Sequence, residues 1–188
     1  GIKAPEYIWK PSPAKFTGND VWRPEEIEKI RAAGKIAAGA IELAGANAKP
    51  GVTTDELDKL VHEYVLDHGA YPSTLGYRNY PKSCCTSVNE VICHGIPDDT
   101  VLEDGDIVNV DVTAYLDGFH GDSSRIYFVG DPPVIAERLA QASFDAMWRG
   151  IEQVRPGARL GDIGHAVQSF AEAQRFSIVR EYCGHGIG

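Results

Sequence analysis

Residues Val108–Ser124 read VNVDVTAYLDGFHGDSS, and their alternation sets the architecture. Val108, Val110 and Val112 alternate with Asn109, Asp111 and Thr113, the period-two pattern of a strand with one apolar and one polar face. Asp117-Gly118 is a strong signal for a two-residue type I′ turn, because both central residues must take positive φ. Strands joined by so short a turn run antiparallel. In the resulting hairpin Thr113 faces Asp122 and Asp111 faces Ser124. The two aspartates become diagonal neighbours on one face, with backbones about 7–8 Å apart.

Two bare carboxylates that close repel each other unless a cation lies between them. A divalent ion, or a pair bridged by carboxylates and water, resolves the conflict. The same pattern also fits two aspartates that cap turns or face water on an exposed hairpin. Asp117 is simple turn chemistry. His120 is close in sequence, and its position in the hairpin is read as the opposite face.

Upstream, Pro24 suits a first helical residue, and Ile27, Ile30, Gly34, Ala37, Ile41 and Ala44 form a helical stripe that Pro50-Gly51 ends. Thr53 and Glu56 make a T-x-x-E capping box for a second helix, with Leu57, Leu60, Val61, Tyr64 and Val65 on one face and Gly69 as its stop. Residues 72 to 129 read as strand-rich. Residues 1–23, with Pro5, Pro11 and Pro13, read as an extended N-terminal arm.

Sliding the chain against itself by 106 residues places Lys49-Pro50-Gly51 on Arg155-Pro156-Gly157, Leu57 on Ile163, Val61 on Val167, Tyr64 on Phe170 and Ile41 on Met147. Helix, Pro-Gly, helix thus occurs twice. Either two ordinary helix pairs coincide, or a duplicated α+β fold has two halves, about 24–130 and about 134–188, the second without most of its strands.

The 188 residues carry a formal net charge of −9 and are 43% hydrophobic, enough for a packed core. An acidic chain without a basic footprint does not suit a nucleic-acid partner. Nothing steers it to a membrane: no apolar run reaches transmembrane length, and no secretory signal leads the chain. Cys84, Cys85, Cys93 and Cys183 include a vicinal pair and no C-x-x-C, so they read as reduced thiols of a cytoplasmic protein.

Two histidines sit where a side chain can reach a ligand. His94 follows the apolar run Val91-Ile92-Cys93, read as a strand ending before a turn. His185 lies among Gly184, Gly186 and Gly188, which leave its imidazole room. His62, His68 and His165 lie on predicted helices and read as structural. His94, His185 and one aspartate also fit a non-heme iron facial triad, in which the second aspartate has no role.

YPKSCCTSVNEVICHGIPDD (80–99), DGDIVNVDVTAYLDGFHGDSSR (104–125) and EYCGHGIG (181–188) resemble, in order, segments of the type I methionine aminopeptidases of the pita-bread metallopeptidase family. The resemblance runs from about residue 24 to the last residue. It implies an α+β pita-bread fold with two pseudo-symmetric halves around a curved antiparallel sheet, so that 24–188 is the catalytic domain. It further implies removal of the N-terminal methionine of nascent peptides, near the ribosome, by a monomer using two divalent ions among Co, Mn, Fe and Zn. Asp111, Asp122 and His185 match metal ligands. His94 matches a histidine that touches substrate near the scissile bond, as a catalytic group. Tyr77, Tyr80 and Cys85 fall where the family lines its methionine pocket, beside Thr74, where some members have a cysteine. Two further glutamate ligands are expected beyond Gly188, so residues 1–188 alone are expected to lack full activity. An X-Pro aminopeptidase on the same ligand frame, or a non-catalytic pita-bread binding module, remain as alternative readings.

Overall fold

Pro24 opens α1 (Pro24–Asn47), and Glu26 secures its start by accepting the Arg23 amide at 2.8 Å. The computed structural model describes residues 21–187. The arm read over 1–23 lies outside the described residues except for its end, where Trp22 sets its ring edge-on to Phe119 at 5.9 Å. The chain divides into two compact units, one through Asp131 and one over Pro132–His185.

In the first unit, α1 is followed by α2 (Thr54–Asp67), β1 (Tyr71–Pro72), a short 3-10 turn at Tyr77–Asn79, β2 (Cys85–Val88), β3 (Ile107–Leu116) and β4 (Phe119–Phe128). The capping box forms as the spacing predicts: Thr53 Oγ1 accepts the Glu56 amide at 3.2 Å while Glu56 accepts the Thr53 amide at 2.7 Å. β3 is the hub of an antiparallel sheet. It pairs with β4 along its whole length, and with β2 and β1 at opposite ends of its other edge. Asp117 and Gly118 both take positive φ, at 49° and 93°, as a type I′ turn requires.

The apolar face of β3, through Val108, Val110, Val112 and Ala114, is fully buried with Leu57, Val61 and Val65 of α2. Small residues let α1 press close: Ala33, Ala37, Ala40 and Ala44 have no exposed surface. The approach is close enough at Gly121 of β4 that a methyl group there would overlap the backbone of Ala33 and Gly34. The Tyr127 hydroxyl ties the same surfaces by donating to the Ile41 carbonyl at 2.9 Å.

One expected strand is absent. Val91-Ile92-Cys93 forms no strand; Val91 and Ile92 are exposed, and Asn89 and His94 on either side take positive φ, which breaks the extended path a ladder needs.

The second unit holds α3 (Val134–Ile151) and α4 (Leu160–Ala173), packed through Gly150 against Ile163 and Val167. At a shift of 106 residues, α2 falls on α4 end for end (54 to 160, 67 to 173). Gly51 and Gly157, which precede the two helices at equivalent places, both take positive φ, at 91° and 86°. Among the described residues, no helix is long and apolar enough to cross a membrane.

Candidate metal centre

The sheet carries two faces with different chemistry. In β3, the even-numbered residues turn to the core and the odd-numbered ones to the other side. Register pairs Asp111 with Ser124, Thr113 with Asp122 and Tyr115 with His120, as the turn chemistry predicts for the first two. Asp111 and Asp122 therefore share one face as diagonal neighbours, both half-buried. Thr113 Oγ1 donates to Asp122 Oδ1 at 2.8 Å and fixes the carboxylate's orientation.

On the far edge, β2 brings Cys85 directly opposite Asp111. Cys85 is 5% exposed, and burial, reinforced by the charges of Asp111 and Asp122, pushes its thiol up to about 11 against the opposing hydrogen bond from Tyr80. The thiol stays neutral at physiological pH, so it offers the face a polarizable surface and no third anion.

His120 corrects the sequence reading. It lies two residues from Asp122 on one strand and pairs with Tyr115, which puts it on the same face as the aspartates rather than the opposite one. Its Nδ1 shares a hydrogen bond with Ser73 Oγ at 2.9 Å, and its ring lies 5.0 Å from that of Tyr115. Burial lowers its pKa, with the Asp122 charge acting in the other direction.

The other expected site residues fall as follows. Tyr80 is half-buried, its hydroxyl within 3.0 Å of the Cys84 and Gly95 carbonyls, and burial raises its pKa. Tyr77 is 64% exposed, on the 3-10 turn, with the Arg78 guanidinium 5.4 Å over its ring. His94 is exposed at φ 55°. His185 belongs to the second unit and lies in an exposed segment without helix or strand. Of the histidines read as structural, His62 is buried with Nδ1 2.7 Å from Ser83 Oγ, and His68 stacks on Tyr64 at 4.0 Å.

A second residue escaped the sequence reading. Asp58, on the buried side of α2, has no exposed surface and accepts the amide protons of Ser83 and Cys84 at 2.7 and 3.0 Å. Burial raises its pKa, and those two amides oppose the rise. The spacing Thr54, Asp58, His62, each four residues on, marks a polar stripe beside the apolar one and could have flagged it.

Among the described residues, no three His, Cys, Asp or Glu side chains form a group that could hold a metal ion. What the first unit supplies is a pair of carboxylates on one face of a hairpin, with a hydroxyl directing one of them. Hard oxygen donors of this kind suit a divalent cation.

Residues 28–188 match the model of a family described as metallopeptidase family M24. The chain is 53% identical over 189 residues to methionine aminopeptidase 2 of Mycobacterium tuberculosis, covering 100% of this chain and 66% of the relative. It is 55% identical over 164 residues to methionine aminopeptidase of Rickettsia prowazekii, covering 87% and 63%. It thus spans just under two thirds of the length of these curated relatives. The crystal structure of methionine aminopeptidase from Rickettsia prowazekii superposes with a TM-score of 0.88 at 52% identity, over 90% of this chain and 68% of that one. The fold is accordingly the α+β pita-bread type that the sequence motifs imply.

Proposed function

Because the chain belongs to metallopeptidase family M24, we propose that it removes the initiator methionine from nascent proteins by metal-assisted hydrolysis of the first peptide bond. The observation that carries this reading is the placement of Asp111 and Asp122 as diagonal neighbours on the open face of one hairpin. The names of its relatives above 50% identity supply the methionine specificity. On this reading residues 24–188 form a catalytic domain of two pseudo-symmetric halves that acts as a cytoplasmic monomer near the ribosome.

Asp111 and Asp122 would hold two divalent ions of the Co, Mn, Fe or Zn type, with His185 as the further ligand that the family resemblance implies. When bound, such ions supply Lewis acidity at the scissile carbonyl and acidify water toward neutral pH. The protein's part is positional. Asp122 keeps its orientation through Thr113. His94 hydrogen-bonds the scissile amide or the oxygen on which charge develops. Tyr80 and Cys85 enclose the methionine side chain with a half-buried phenol ring and a neutral thiol, and Tyr77 closes the outer wall. The sulfur of Cys85 suits a thioether better than a charged or branched residue.

The test compares Met-Ala-Ser with X-Pro peptides as substrates in the presence of Mn²⁺ or Co²⁺, for the protein and its Asp111→Asn variant. Methionine release that needs the ion and is lost in D111N supports the reading. Preferential cleavage before proline, or metal-dependent turnover untouched by D111N, overturns it.

A further inference from the structure

The start of β2 is anchored from two directions. Asp58 accepts the Ser83 and Cys84 amide protons, and Thr74 Oγ1 donates to the Ser83 carbonyl at 2.7 Å. From this anchored turn the Tyr80 hydroxyl reaches across to the loop that carries His94. It stands 3.0 Å from the Cys84 carbonyl and 3.0 Å from the Gly95 carbonyl, with the Cys85 thiol as a further partner, and its single proton is divided among these acceptors.

Gly95 is held by more than Tyr80. Its carbonyl also accepts the Thr86 amide at 2.9 Å, and its own amide donates to Ser87 Oγ at 3.2 Å. No side chain fits at this position, because a methyl group on Gly95 would overlap the Thr86 carbonyl. The residue before it, His94, stands in the left-handed region at φ 55°. A residue with a Cβ persists there only where its surroundings over-determine the backbone. Gly95, bonded at both its amide and its carbonyl, is part of that surrounding, and among the described residues the Tyr80 hydroxyl donates to its carbonyl from a side chain.

We propose that Tyr80 is a positioning residue for His94: its hydroxyl clips the Gly95 carbonyl to the anchored start of β2 and so holds the His94 backbone in its left-handed conformation. A pocket-lining role needs only the ring of Tyr80, whereas the clip needs its oxygen. The kinetic consequence of the clip rests on the reading of His94 given under Proposed function; the clip itself rests on the hydrogen bonds.

Tyr80→Phe removes the oxygen and keeps the ring. Hydrogen exchange at the Thr86 and Gly95 amides is expected to quicken about tenfold, while the Val110 and Val112 amides hold their protection. In turnover of a methionyl peptide, Y80F is expected to lower kcat about tenfold with KM within about twofold. Added to His94→Ala, it should cost nothing more, since both changes act through one group. Unchanged exchange at Thr86 and Gly95, acceleration spread evenly over the sheet, or a raised KM with kcat intact each overturn the proposal. If H94A alone leaves kcat intact, it is the reading of His94 that fails, and the exchange data still decide whether the clip exists.

Discussion

Thr113 and Asp122 face each other across β3 and β4, and the threonine hydroxyl donates to the aspartate at 2.8 Å. A ligand carboxylate with a fixed orientation binds a cation without first being ordered, and removing such an outer partner weakens metal binding by about 10–100-fold. Thr113→Val keeps the shape and deletes the donor. Mn²⁺ affinity, read by isothermal titration, should fall at least about tenfold, with a loss of fold stability near 1 kcal/mol. Undiminished affinity would falsify the role given to this hydroxyl.

Asp58 makes a prediction about pH. Its pKa is raised in the folded protein by burial, so folding favours the protonated form. Its contribution to stability is therefore greatest below the ordinary carboxylate value and is lost as pH rises through the folded value. Asp58→Asn cannot titrate. The melting temperature of the wild type relative to D58N should be highest at pH below the ordinary carboxylate value and decline as pH rises through the folded value. A difference that grows with pH would show that the two amide bonds, rather than burial, govern this carboxylate.

Gly121 lies where the hairpin meets α1, and the atoms a side chain would strike are backbone atoms of Ala33 and Gly34. Backbone cannot rotate out of the way as a side chain can. Gly121→Ala should cost about 1–3 kcal/mol in denaturant unfolding, as overpacking does. Because Asp122 is the next residue, Mn²⁺ affinity should fall as well. An alanine tolerated in both measurements would mean that α1 slides freely on the sheet.

Much of this was legible in the sequence because it is written in short-range chemistry. The turn at Asp117-Gly118 needs two positive φ angles, the capping box at Thr53 and Glu56 needs two reciprocal bonds, and both formed where spacing placed them. The diagonal aspartates followed from the turn alone. The same register carried His120 to their face, and the reading missed it although 120 and 122 share a parity. Asp58 was hidden for a different reason. A carboxylate inside a helix ordinarily faces water, and only the arrival of the Ser83–Cys84 turn, some 25 residues on, supplies the amides that let it be buried. The Tyr80 hydroxyl bridge was equally out of reach, since its acceptors become neighbours only when the chain turns back through residues 89–94. The strand expected at Val91–Cys93 failed because apolar composition says nothing about whether an edge is offered for pairing.

β3 hydrogen-bonds on both edges, and its residues alternate between a sealed interior and the carboxylate-bearing side. That makes it a frame-locked stretch. One residue inserted or deleted between Ile107 and Asp111 would turn Asp111 inward and Val110 outward, because a shift of one position reverses every side chain after it. Length variation in descendants of this gene is thereby steered to the hairpin tip at Asp117-Gly118 and to the irregular connection over 89–106, where an extra residue leaves the strand's phase untouched.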